Sequence, residues 1–308
     1  MALATGKDFI GLVGHTPLVD MSHVVSAGGD VRVVAKAEWT NPGGSVKDRP
    51  AARMILEGER GVRLTKDKII LDATSGNTGI AYACLAAARG YRLKLCVPAN
   101  ISPERKHMLA ALGAEVIYTS AQEGSDGAIR EARRLFDEDP ERYYYPDQYG
   151  NDENWRAHYA TTGPEIWEET GGAVTHFVAT VGTGGTLMGT GRFLKEKNPS
   201  IQVIAVEPDS PFHGLEGMKH MATSIVPKIY DRGFAGETLF VSTEAAHAAI
   251  RKTARKGGLL VGLSSGAALT AAELVAGRLI KARQRGLVVT VLPDNADKYL
   301  TERFWKEA

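Results

Sequence analysis

Short apolar runs rich in β-branched residues alternate along this chain with longer segments of helical period. The runs predict strands over Val31–Lys36, Lys68–Ala73, Arg92–Val97, Glu115–Thr119, Thr175–Val181, Gln202–Val206 and Leu287–Leu292. The intervening segments predict helices over Val46–Glu59, Gly79–Arg89, Pro103–Leu112, Gly124–Phe136, Glu153–Thr161, Thr186–Glu196, Thr243–Lys256 and Ser265–Arg285. Strands alternating with helices imply an α/β fold with central parallel sheets covered on both faces. Val288–Leu292 has the near-continuous apolar character of a strand buried on both sides. Two segments break the rhythm. Tyr143–Asn151 is aromatic, turn-rich and without clear period, and it marks a boundary between two αβ halves. Glu207–Glu237 is irregular and rich in Gly, Pro and His, as functional loops of that length are.

The length of 308 residues suits two lobes, and 44% hydrophobic with 24% charged residues is ordinary globular composition. A net charge of +1 leaves little for nucleic acid or an anionic membrane surface, which call for a basic face. Met1–Asp8 has no apolar signal core, and no run of about 20 apolar residues predicts a membrane span. The two cysteines, Cys84 and Cys96, lie in apolar runs without metal-ligand spacing, so they read as core residues of a cytoplasmic protein.

Four loops rich in Gly and Ser sit between strands and helices, where parallel sheets bind ligands. In Asn41-Pro42-Gly43-Gly44-Ser45-Val46-Lys47-Asp48-Arg49, Ser45 and Asp48 resemble a capping box, which places Lys47 in the first helical turn. The helix dipole disfavours an ammonium there, and a lysine of lowered pKa suits Schiff-base chemistry. Thr74-Ser75-Gly76-Asn77-Thr78-Gly79 offers hydroxyls, a carboxamide and free amides to a carboxylate or phenolic oxygen, unless Ser75, Asn77 or Thr78 simply caps the helix. Gly182-Thr183-Gly184-Gly185-Thr186 forms an anion nest. It lacks both the Walker lysine and the dinucleotide spacing, because Leu187 occupies the last glycine position, and so it fits a monophosphate. In Gly262-Leu263-Ser264-Ser265-Gly266-Ala267-Ala268, a serine either meets a ring nitrogen without bringing charge or caps the following helix.

In order and spacing these motifs resemble those of cysteine synthases (O-acetylserine sulfhydrylases) and the catalytic core of cystathionine β-synthases, from Gly14-His15-Thr16-Pro17-Leu18 to Pro293-Asp294. The resemblance implies a fold-type II pyridoxal-phosphate enzyme, similar to the tryptophan synthase β subunit. It implies a smaller lobe over 40–145 and a larger cofactor-binding lobe from 1–39 plus 146–308. Lys47 would carry the cofactor as a Schiff base and act as the catalytic base. Asn77 would bond the phenolic oxygen, Gly182, Thr183, Gly184, Gly185 and Thr186 would cradle the phosphate, and Ser264 would meet the pyridine nitrogen. Thr74, Ser75, Gly76 and Thr78, with Gln148, would hold the substrate carboxylate. The implied reaction replaces the acetoxy group of O-acetyl-L-serine by sulfide, giving L-cysteine without a metal. The alternatives are cystathionine formation from serine and homocysteine, and an O-phosphoserine-dependent cysteine synthase with Lys219, His213 and His220 as phosphate partners. The usual assembly is a homodimer, and family members accept the C-terminal tail of a serine acetyltransferase. Three departures stand out: His15 where the family usually has asparagine, a distinct loop over His213–His220 whose Leu-Glu-Gly is similar to cystathionine β-synthases, and neither a haem-binding extension nor a regulatory domain pair beside the core.

Overall fold

A computed structural model describes residues 8–306. Its ten strands are β1 (Leu18–Asp20), β2 (Val31–Ala37), β3 (Ile69–Ala73), β4 (Arg92–Pro98), β5 (Glu115–Thr119), β6 (Tyr143–Tyr144), β7 (His176–Thr180), β8 (Gln202–Pro208), β9 (Glu237–Val241) and β10 (Gly286–Leu292). They form two sheets, a six-stranded one in the order β1-β2-β10-β7-β8-β9 and a four-stranded one in the order β5-β4-β3-β6. Every pairing is parallel except β1 with β2. The expected α/β architecture with parallel sheets is therefore present.

Each sheet separates two apolar clusters, because its strands bury side chains on both faces. Val288 packs with Val178 and Leu263 on one side of the six-stranded sheet, while Val289 and Val291 pack with Phe177 and Leu187 on the other. Ile70 and Leu95 face Ile80 and Leu109 across one side of the smaller sheet, and Leu71 and Cys96 face Ile129 across the other. Burying each such aliphatic chain contributes roughly 1.5–3 kcal/mol. Both cysteines are free; Cys96 is buried and Cys84 partly so. The helix Leu263–Lys281 is long and apolar enough to cross a membrane, but 67% of that span is buried inside the fold, so it is a core helix.

The seven strand positions read from the sequence all carry strands, with ends that agree to within two residues. Three further strands, β1, β6 and β9, and the helix Thr162–Glu169 had no counterpart in that reading. The aromatic segment at 143–151 starts as strand β6 and continues as the turn that carries Gln148. Between Pro208 and Glu237 no helix or strand forms.

Candidate active site

The carboxyl ends of β3, β7 and β10 open onto one cleft, the position where parallel sheets place ligands. Lys47, Thr74, Ser75, Asn77, Thr78, Gln148, Gly182, Thr183, Thr186 and Ser264 line it together. Gly76, Gly184 and Gly185 belong to the same loops without reaching the wall.

Lys47 stands just before the first helical turn in which its sequence placed it, at the N-cap of the helix Asp48–Arg60. The Ser45–Asp48 pattern is not a capping box. Ser45 Oγ accepts from the Lys47 amide at 3.2 Å, and the Asp48 carboxylate turns back to the Gly43 amide. Burial lowers the Lys47 pKa; Asp294 and Glu38 pull it back part of the way. Burial also raises the Asp48 carboxyl to about 7. Beneath this loop lies a buried ion network. Arg49 donates to Glu38 at 2.8 Å from both Nε and Nη2, and to Glu165 at 2.6 and 2.7 Å. Thr16 and Asn41 complete the Glu38 carboxylate. His15 adopts a φ of +50° and donates its amide to Glu165 at 3.0 Å, so the loop contact at this position runs through the backbone.

After β3 the chain makes a tight turn with Gly76 at φ +154°, and a Cβ there would strike Arg105. Thr74, not Ser75, Asn77 or Thr78, satisfies the helix end: its hydroxyl accepts from the amides of Gly76 and Gly79 at 3.0 and 3.1 Å. Thr78 donates to Gln148 Oε1 at 2.8 Å, and Gln148 Nε2 donates to the Ala73 carbonyl. The Gln148 amide donates to buried Asp72 at 3.2 Å, which ties the turn after β6 to β3. Asn77 Nδ2 donates to Asp294 at 2.7 Å; its second hydrogen is left over, and its buried Oδ1 has no partner.

After β7 the glycine loop turns at Gly184, φ +88°, into the helix Gly185–Lys197. A Cβ on Gly182 would overlap the Gly217 carbonyl, so the irregular loop after β8 rests directly on this turn. Among the described residues the amides of Gly182, Thr183 and Gly184 find no acceptor. Ser264 lies in the first turn of the helix Leu263–Lys281 without capping it, and Ser265 donates instead to the Asp294 carbonyl at 3.1 Å.

Several lining or supporting residues left no mark in the sequence reading. Arg105, buried on the helix Pro103–Ala111, reaches Glu216 of the irregular loop and stacks on Tyr299. Tyr299 donates to Asp294 at 2.8 Å, which closes a chain of contacts back to Asn77. Lys219 lines the cleft, but it is buried and ion-paired with Asp126 at 2.5 Å. His213 stands at the outer mouth, and His220 is engaged by Thr223.

A desolvated amine, a nest of free amides, a carboxamide with spare hydrogen-bonding capacity and an uncharged hydroxyl thus face one cavity. That set fits a phosphorylated pyridine aldehyde and defines a pyridoxal-phosphate site. Residues 10–294 match the family model described as pyridoxal-phosphate dependent enzyme. The chain belongs to that family, and pyridoxal phosphate is its cofactor. It is 50% identical over 298 residues to a cysteine synthase of Aquifex aeolicus, covering 96% of this chain and 91% of that protein. It is 38% identical over 304 residues to an O-acetylserine dependent cystathionine beta-synthase of Bacillus subtilis, covering 97% of each. The crystal structure of a cysteine synthase from Entamoeba histolytica superposes with a TM-score of 0.90 at 32% identity, covering 100% of this chain and 94% of that one.

Proposed function

We propose that the protein is a cysteine synthase, converting O-acetyl-L-serine and hydrogen sulfide to L-cysteine and acetate. The observation that carries this is the single cleft in which the enclosed Lys47 amine faces both the Thr74–Thr78 loop and the glycine loop. Lys47 holds the cofactor through its amine, the amides of the glycine loop hold the phosphate, and the spare hydrogen of Asn77 reaches the phenolic oxygen. Ser264 meets the ring nitrogen without charge. When bound, the cofactor supplies an electron sink for negative charge on the substrate α-carbon. Burial lowers the Lys47 pKa, which favours the neutral amine that takes the α-proton. Thr74, Ser75, Thr78 and Gln148 hold the substrate carboxylate, with Gly76 shaping the turn that presents them, and the acetoxy oxygen leaves with its bonding electrons as acetate. A homodimer, a cytoplasmic location and docking of a serine acetyltransferase tail belong to the same reading and rest on the family resemblance.

Charge balance supports an uncharged acyl group over a phosphate. Both cations that border the cleft are already matched, Lys219 by Asp126 and Arg105 by Glu216. A dianionic leaving group would enter with neither His213 nor His220 on the inner wall to meet it. The inner cleft adjoins a roomier outer one that shares Ser75, Ser125 and Glu216 with it, which leaves space for a thiol larger than sulfide as a second nucleophile. Steady-state kinetics test both points. O-acetylserine is expected to exceed O-phosphoserine in kcat/KM by at least about tenfold, since one unmatched charge contact is worth about 1.4 kcal/mol or more. Preference for O-phosphoserine would refute the charge argument. Homocysteine turnover with O-acetylserine would establish the second nucleophile.

A further inference from the structure

The helix Glu153–Ala160 contributes nothing to the wall of the cleft, yet it places two buried polar side chains one turn apart behind the glycine loop. Asn154 Nδ2 donates to Thr183 Oγ1 at 3.2 Å and to the Gln148 carbonyl at 2.7 Å. The Gly185 amide donates to the same Thr183 oxygen at 3.3 Å. That oxygen thus receives two donors, and its own proton has only the cleft to point into.

His158 stands behind Thr186 in the same way. Its Nε2 lies 3.3 Å from Thr186 Oγ1, and its Nδ1 lies 2.9 Å from Thr162 Oγ1. Burial, with Arg49 and Lys47 nearby and only Glu165 opposing, keeps the ring well below the usual histidine range and therefore neutral. One ring proton must then be shared between two hydroxyl neighbours. With the proton on Nδ1, Thr186 would spend its hydroxyl hydrogen on Nε2 and turn lone pairs toward a bound anion, while the Thr162 hydrogen would have no acceptor. With the proton on Nε2, Thr162 donates to Nδ1, the ring donates to Thr186, and the Thr186 hydrogen is released into the cleft. Only the second arrangement uses every proton.

We infer that Asn154 and His158 are positioning residues that hold Thr183 and Thr186 as donors to the cofactor phosphate, with His158 in its Nε2–H form; this rests on the cofactor reading above. The close packing it needs is built in, since a Cβ on Gly185 would strike Asn154 Oδ1 and one on Gly189 would strike Trp155 and His158.

Binding of pyridoxal 5′-phosphate and of phosphate-free pyridoxal to the full chain tests the idea. His158→Leu is expected to weaken the phosphorylated form roughly tenfold or more, as losing a donor to a charged group does. Pyridoxal should be affected little, and His158→Gln, which can keep a donor, should recover most of the loss. Equal weakening of both compounds would mean a merely structural role and overturn the inference. ¹⁵N NMR of the unaltered holoprotein checks the tautomer without any substitution. A protonated Nε2 with a bare Nδ1 is expected, and the reverse would overturn it. Wild-type protein that took up neither compound would instead overturn the cofactor reading itself.

Discussion

Lys47→Ala is expected to abolish synthesis of cysteine to within background while leaving the fold intact. Loss of a positioned general base alone lowers turnover by roughly 10²–10⁴-fold, and here the same amine also anchors the cofactor. The side chain ends in a cavity and carries no buried ion pair of its own, so its truncation removes chemistry without orphaning a charge. Borohydride treatment of the wild-type holoprotein followed by peptide mass mapping should place the reduced cofactor on Lys47. A label on another lysine, or a fully active alanine variant, would remove the basis of the proposed function.

Arg49→Leu is expected to produce the largest stability loss of any single change near the site, about 3–5 kcal/mol, because it strands the fully buried Glu38 without its cation. Denaturant unfolding measures it, and a midpoint equal to wild type would contradict the ledger of charges beneath the Lys47 loop. Acid unfolding carries a second signature. Burial pushes the Glu165 carboxyl upward, but the hydrogen bonds and charges of Arg49 and Lys36 more than reverse this and bring it from 4.5 to about 2. A depressed carboxyl stabilises the fold above its unfolded pKa and loses that contribution as pH falls toward its folded value. Wild-type stability should therefore fall between pH 4.5 and about 2, and the slope should flatten in Arg49→Leu.

The long strands were legible because burial on both faces writes a continuous apolar run, as in Val288–Leu292. Strand β6 has two residues and β1 three, too few to show any period. The helix Thr162–Glu169 was hidden by Gly163 and Pro164, which read as a break, although proline is tolerated in a first turn. The glycine loops were legible as lining of the cleft because they are built of backbone and short side chains held within contiguous stretches. Arg105, Asn154 and His158 were not. Each sits on an ordinary helix, and the contact that ties it to the cleft comes from distant chain, as in His158–Thr186, Asn154–Thr183 and Arg105–Tyr299, 28, 29 and 194 residues apart. The main cause of the Lys47 shift was not legible for a physical reason: a helix end is visible in a motif, whereas burial of the amine exists only after folding.

The irregular segment between β8 and β9 leaves the six-stranded sheet but is fastened elsewhere. Glu216 meets Arg105 and Lys219 meets Asp126, and both partners sit on helices flanking the four-stranded sheet. The segment therefore works as a strap across the gap between the sheets. Prising the sheets apart would strip two shielded charge pairs, so the strap couples the two sheets to each other.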